Sequence, residues 1–177
     1  DCAGERLLFR IDEDRGQTTI LVQTRNPPDW AAAFGEFPVL EGSPLCKQVD
    51  PRPRKGQILS FRLRANPTRR KSYVAPEGDG KKRRIGITDE LEQLAWLARK
   101  GEGAGFRVLR AQVRQDGLMK DTQTSEPQRR GLALLSVQFD GVLQVVDADR
   151  LSAALEAGIG SGKALGFGLL SLAPVRN

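Results

Sequence analysis

Ile58-Leu59-Ser60-Phe61-Arg62-Leu63-Arg64-Ala65 alternates without a break. Leu59, Phe61, Leu63 and Ala65 fall on one side of a strand, and Ile58, Ser60, Arg62 and Arg64 on the other. Such a strand buries one face and shows two arginines on the opposite one. Asn66-Pro67 ends it. Working outward, Thr88 to Lys100 reads as a helix, with an apolar stripe at Leu91, Leu94, Ala95 and Ala98. Asp89 and Glu90 in its first turn, and Arg99 and Lys100 in its last, suit the helix dipole. Gly101 and Gly103 stop it. Phe106 to Val113 reads as a strand. Leu132–Phe139 and Val142–Val146 flank Asp140-Gly141, the strongest short signal for a hairpin turn. Asp147 caps a second helix carrying Leu151, Ala154, Leu155 and Ile159. A final strand covers Leu169–Val175. The order from residue 58 is therefore βαββαβ, the ferredoxin-like (RRM-like) unit.

Upstream, Arg6–Ile11 and Thr18–Gln23 read as an antiparallel pair closed by Pro27-Pro28. Residues 31–57 are irregular, with one helical turn near Ala31–Phe34. This half resembles the same unit with its first strand and helix cut off. The predicted fold class is α+β, two tandem ferredoxin-like domains with the N-terminal one incomplete. The division is placed at 1–66 and 67–177, although either unit could claim the 58–65 strand. The chain opens on Asp1, and its single methionine is Met119. The expectation is of a further segment upstream, and of an apolar face on the 6–23 hairpin that such a segment covers.

The chain has 177 residues, of which 28 are Lys or Arg and 22 are Asp or Glu, for a net charge of +6. That excess is clustered. Seven basic residues lie within Arg69–Arg84, broken by glycine and proline, and read as a flexible basic loop. A second polar segment, 115–130, holds Lys120, Arg129 and Arg130. Clustered cations point to a polyanion, most commonly nucleic acid. No run of residues reaches membrane-spanning length, and no signal peptide opens the chain. Cys2 and Cys46 lack metal-site spacing, which fits a cytoplasmic protein with two idle thiols. There is no histidine, so the commonest general base and the commonest metal ligand are missing from these residues. No metal and no cofactor is expected.

Five glycines, Gly158, Gly160, Gly162, Gly166 and Gly168, fall within eleven residues around Lys163. Exposed N–H groups near a lysine make an anion cradle. The loop is not that of a nucleotide triphosphatase: Ala157 stands where the first glycine belongs, and Ala164 where Ser or Thr holds magnesium. It is not a dinucleotide fingerprint either, because Leu165 replaces the third glycine and a helix precedes it. A tight helix-to-strand connection accounts for one or two of the five glycines. The whole set predicts a loop built for close approach to a phosphate, though not a mononucleotide's.

Three stretches together resemble the CasE family, the precursor-RNA endoribonucleases of type I-E CRISPR systems. They are Leu-Leu-Phe-Arg-Ile…Ile-Leu-Val-Gln-Thr at 7–24, Phe-Arg-Leu-Arg-Ala-Asn-Pro at 61–67, and the glycine-rich 158–174 segment. The resemblance implies binding of the CRISPR repeat RNA hairpin. It also implies metal-independent cleavage to a 2′,3′-cyclic phosphate, and retention on the product beside the other Cascade subunits. The family's catalytic histidine and its neighbouring tyrosine lie on the first helix and have no counterpart in residues 1–177. No catalytic residue is assigned here, and residues 1–177 are expected to be inactive alone. The one tyrosine, Tyr73, sits in the basic loop and reads as structural. The alternative is a non-catalytic RNA-binding scaffold subunit; a plain RRM module fits less well, lacking its paired sheet aromatics. The RNA-binding candidates are Arg62, Arg64, Lys120, Arg129, Arg130, Lys163 and the five glycines. For Arg62 and Arg64 the bland alternative is strong, since alternating arginines often only keep a sheet face soluble.

Overall fold

The computed structural model describes residues 7–34, 41–72, 82–120 and 133–175. Its centre is a four-stranded sheet built from β3 (Ile58–Ala65), β6 (Phe106–Lys120), β7 (Ala133–Val145) and β8 (Leu170–Pro174), in the order β6-β7-β3-β8. Every neighbouring pair is antiparallel. Helices α2 (Glu90–Gly103) and α3 (Ala148–Ala157) follow β3 and β7. Both pack on one sheet face, so this is the ferredoxin-like arrangement. Leu59, Phe61, Leu63 and Ala65 of β3 are buried with Phe139 and Leu143 of β7, Trp96 and Leu97 of α2, and Leu151 and Leu155 of α3. The alternation in β3 is borne out position by position.

β3 lies between β7 and β8. Sheet pairing therefore groups Ile58–Ala65 with the residues after it. Upstream, β1 (Leu8–Asp14) and β2 (Gln17–Gln23) form a separate two-stranded sheet. Arg15 and Gly16 both have positive φ, 49° and 81°, which gives a turn twisted to match a hairpin. Leu8 is buried, while Ile20 and Leu21 on β2 are 49% and 41% exposed. The helical turn near residue 31 is α1 (Trp30–Phe34).

Three local expectations fail, each for a physical reason. Asp140-Gly141 is not a turn: β7 runs straight through it. A Cβ on Gly141 would lie 2.1 Å from the Arg110 carbonyl oxygen and 2.9 Å from Phe61 Cε1. The register of β6 against β7 shifts nearby, between Val108 and Arg110. The glycine is there for close backbone approach beside a bulge. The buried face of α2 is also rotated from the expected stripe. Gln93, Trp96, Leu97 and Gly101 face inward, and Leu91 is 77% exposed. Trp96 stacks on Phe139, and Gly101 leaves room for Phe106, whose ring would stand 2.8 Å from a Cβ. The indole and the glycine set the rotation, and leucine counting misses both. Lastly, the basic loop has strands at its two ends, β4 (Thr68–Ser72) and β5 (Lys82–Gly86), paired antiparallel. The polar segment from 115 likewise begins as strand, since β6 continues to Lys120.

Candidate nucleic-acid interface

The β4–β5 hairpin rises from a fixed root. The Ile87 N–H donates to the Pro67 carbonyl at 3.0 Å. Buried Gln93 donates from Nε2 to the Ile87 carbonyl at 2.7 Å. The N-terminus of α2 is capped by Asp89, whose side chain accepts from the Glu92 N–H. These ties join the root of the hairpin to the start of α2. Between them and the start of the glycine loop lies a cleft of about 280 Å³, lined by Thr68, Arg69, Arg70, Arg84, Trp96, Lys100, Gly160 and Ser161. All four charged residues in that lining are cations.

The register makes this concentration costly. Arg70 stands directly opposite Arg84. Like charges facing each other across a strand pair destabilise it. Among the described residues, Arg69 is the one cleft arginine with a carboxylate in contact, Glu92, with Nη1 at 2.6 and 2.7 Å from its two oxygens. Lys100 sits over the Trp96 ring, 5.8 Å from its centroid. A row of cations gathered at the cost of mutual repulsion is suited to a ligand that brings several negative charges at once.

The glycine loop connects α3 to β8 as expected, and its packing explains its composition. All five glycines have φ between 70° and 89°, where side chains with a Cβ are strained. A Cβ on Gly158 would meet Leu8 at 2.9 Å, one on Gly166 would meet Phe9 at 3.0 Å, and one on Gly168 would meet the Ile159 carbonyl at 2.8 Å. The loop is thus a seat for β1. Several of its amides are taken by backbone carbonyls: Ile159 donates to Gly168 O and Leu165 to Gly162 O within the loop, and Gly168 to Arg64 O on β3. Lys163 turns back to donate from Nζ to the Ala157 carbonyl at 2.6 Å, at the end of α3. Of this loop, Gly160 and Ser161 reach the cleft. Gly158, Gly162, Lys163, Gly166 and Gly168 do not line it.

Arg62 and Arg64 face away from the helices, on the polar side of the sheet. Arg62 is bonded to Asp140 at 2.6 Å. That hydrogen bond, opposed by partial burial, raises its pKa and keeps the guanidinium charged. Arg64 donates to Ser136 Oγ at 2.8 Å and to the Ile11 carbonyl at 3.1 Å, and stacks over the Phe167 ring. Arg10, only 4% exposed, joins Asp12 at 2.8 Å and Ser171 Oγ at 2.9 Å. Arg10 and Arg64 fasten the β1–β2 hairpin to the sheet. Lys120 ends β6 in register with Ala133. Arg129 and Arg130 lie outside the described residues, as does Tyr73. Composition flagged the Arg69–Arg84 cluster, but Lys100, Trp96 and Ser161 join it only through the fold. Among the described residues no group of acidic, Cys or His side chains could hold a metal ion, and no helix is long and apolar enough to cross a membrane.

The model of the CRISPR associated protein family matches residues 1–174. The CRISPR-associated endoribonuclease Cse3 of Thermus thermophilus is 39% identical over 181 residues, spanning 96% of this chain and 81% of that protein. The Cascade subunit CasE of Escherichia coli is 36% identical over 134 residues, 73% of this chain and 64% of that protein. The solved structure of the CRISPR endoribonuclease Cse3 bound to a 19-nucleotide RNA superposes with a TM-score of 0.77 at 37% identity, covering 97% of this chain and 82% of that one.

Proposed function

The chain belongs to the CRISPR-associated protein family, and from that premise we propose that it binds the hairpin of a CRISPR repeat RNA and serves precursor-RNA processing as a Cascade subunit. The observation that carries the reading is the cleft of Arg69, Arg70, Arg84 and Lys100 beside the glycine loop. An A-form stem presents its phosphates in two close rows, and its deep major groove excludes side-chain readout along most of its length. A basic β-hairpin seated on a helix can follow one such row. The opposed pair Arg70↔Arg84 is relieved when a phosphate lies between its members.

The reaction is cleavage by the RNA's own 2′-hydroxyl, leaving a 2′,3′-cyclic phosphate. It needs a base for that hydroxyl, an acid for the departing 5′-oxygen and positive charge for the phosphorane. The cleft's arginines and Lys100 supply the charge. Residues 1–177 contain no histidine, and we propose that this stretch by itself binds without cutting. Lys163, held on Ala157 O, and the glycines it follows act by holding the loop in place. Arg129 and Arg130, which lie between β6 and β7 in the sequence, are kept as further phosphate contacts. The unit boundary is placed before Ile58, because β3 belongs to the sheet of the second unit.

The test is a binding and cleavage assay on a labelled repeat hairpin, in EDTA. The expected result is a complex that forms steeply less well as salt rises, with intact RNA recovered from residues 1–177. Equal affinity for duplex DNA of the same sequence, or a flat response to salt, overturns the binding reading. Robust cleavage by residues 1–177 overturns the division of labour.

A further inference from the structure

We propose that Glu92 is a built-in competitor for the RNA backbone: its carboxylate occupies on Arg69 the place a phosphate takes in the complex, and so sets the affinity of the cleft. The inference rests on the reading of that cleft as the RNA site. Arg69 is a cleft-lining residue. Its Nη1 lies 2.6 and 2.7 Å from the two Glu92 oxygens. A carboxylate against a guanidinium makes the same charge-assisted contact that a phosphate makes. Glu92 takes the Nη1 edge of Arg69, so a phosphate that binds through that nitrogen displaces it.

The helix does not require Glu92 for its start. Asp89 supplies the cap, and Glu90 puts a second carboxylate in the same first turn. The Arg69 and Glu92 side chains are 52% and 46% exposed. In such a setting an ion pair is weak and easily screened. It is therefore a displaceable contact. A lone phosphate gains little by exchanging with Glu92. An RNA stem that also reaches Arg70, Arg84 and Lys100 spreads the same exchange over several contacts. Glu92 thus biases the cleft toward ligands that present a row of phosphates.

The measurement is the affinity of the full chain for a labelled repeat hairpin at fixed salt, for a two-by-two set of Glu92→Gln and Arg69→Ala. Glu90→Gln serves as the control for lost negative charge, and each variant's melting curve is checked against the parent. Glu92→Gln is expected to tighten binding about two- to fivefold, more than Glu90→Gln does. The gain is expected to vanish in the Arg69→Ala background. Unchanged or weaker binding by Glu92→Gln overturns the proposal, because Glu92 then holds Arg69 ready for RNA. An equal gain with and without Arg69, or an equal gain from Glu90→Gln, also overturns it and leaves only a net-charge effect. If Arg69→Ala, Arg84→Ala and Lys100→Ala all leave affinity unaltered, the cleft itself is not the RNA site, and both readings fall by a result distinct from the others.

Discussion

Replacing Arg84 with glutamine is expected to stabilise the fold and weaken RNA binding at once. Arg84 on β5 stands opposite Arg70 on β4, and both are exposed. Directly opposed residues have Cβ atoms about 5 Å apart, which places the two charges at roughly 6 Å. At that distance in water the repulsion is about 0.7 kcal/mol, within the range of about 0.2–1 kcal/mol for cross-strand pairs. For a chain of 177 residues, relief of that size raises Tm by about 0.5–4 °C. Glutamine keeps most of the side-chain stem, so packing over the hairpin changes little. Salt gives the internal control, since at 1 M the screening length is about 3 Å and the gain disappears. On the binding side, loss of one phosphate contact lowers the slope of log affinity against log salt by about 0.7–0.9. The assays are thermal denaturation at two salt concentrations and fluorescence anisotropy with the repeat hairpin. A lower Tm together with unchanged RNA affinity refutes the reasoning, because Arg84 then serves the hairpin and not the ligand.

Gly168→Ala is expected to cost about 2–5 kcal/mol in urea denaturation. About 1–2 comes from the left-handed backbone and about 1–3 from overpacking, given φ of 89° and the Ile159 carbonyl at 2.8 Å; a loss of RNA affinity with full stability contradicts the loop's role as a seat. Asp12→Asn leaves the Arg10 charge buried at 4% exposure without its carboxylate, and is expected to lower stability by about 1.5–3 kcal/mol, read by the same titration. RNA affinity is expected to stay flat from pH 6 to 8, since the chain has no histidine and that side chain is the usual one to titrate there; a sigmoidal change in anisotropy across that range counts against a site made of Arg and Lys.

Much of the fold was legible because its signals are local. The β3 alternation, the Asp147 cap and the pairing of 6–11 with 18–23 each follow from a few adjacent residues, and the structure has the first two and a hairpin of Leu8–Asp14 with Gln17–Gln23. The errors arise where a distant residue decides. Asp140-Gly141 looks like a turn until the Arg110 carbonyl is seen against Gly141. The inward face of α2 is chosen by Phe139 and Phe106, which accept Trp96 and Gly101. The glycine loop was singled out for its backbone freedom, correctly. Packing gives it a further use: most of its glycines make room for Leu8, Phe9, Phe167 and the Ile159 carbonyl. Arg62 and Arg64 could not be separated from solvent-facing arginines by alternation alone, because their partners Asp140, Ser136 and Ile11 lie on other strands.

The central claim is that the cations of the β4–β5 cleft carry the RNA backbone. It is tested most directly by the salt dependence of repeat-hairpin binding for the parent chain and for a variant with Arg70, Arg84 and Lys100 all changed to glutamine. The slope is expected to be lower by about 2–3 in the variant. A variant with the parent's slope and affinity contradicts the claim.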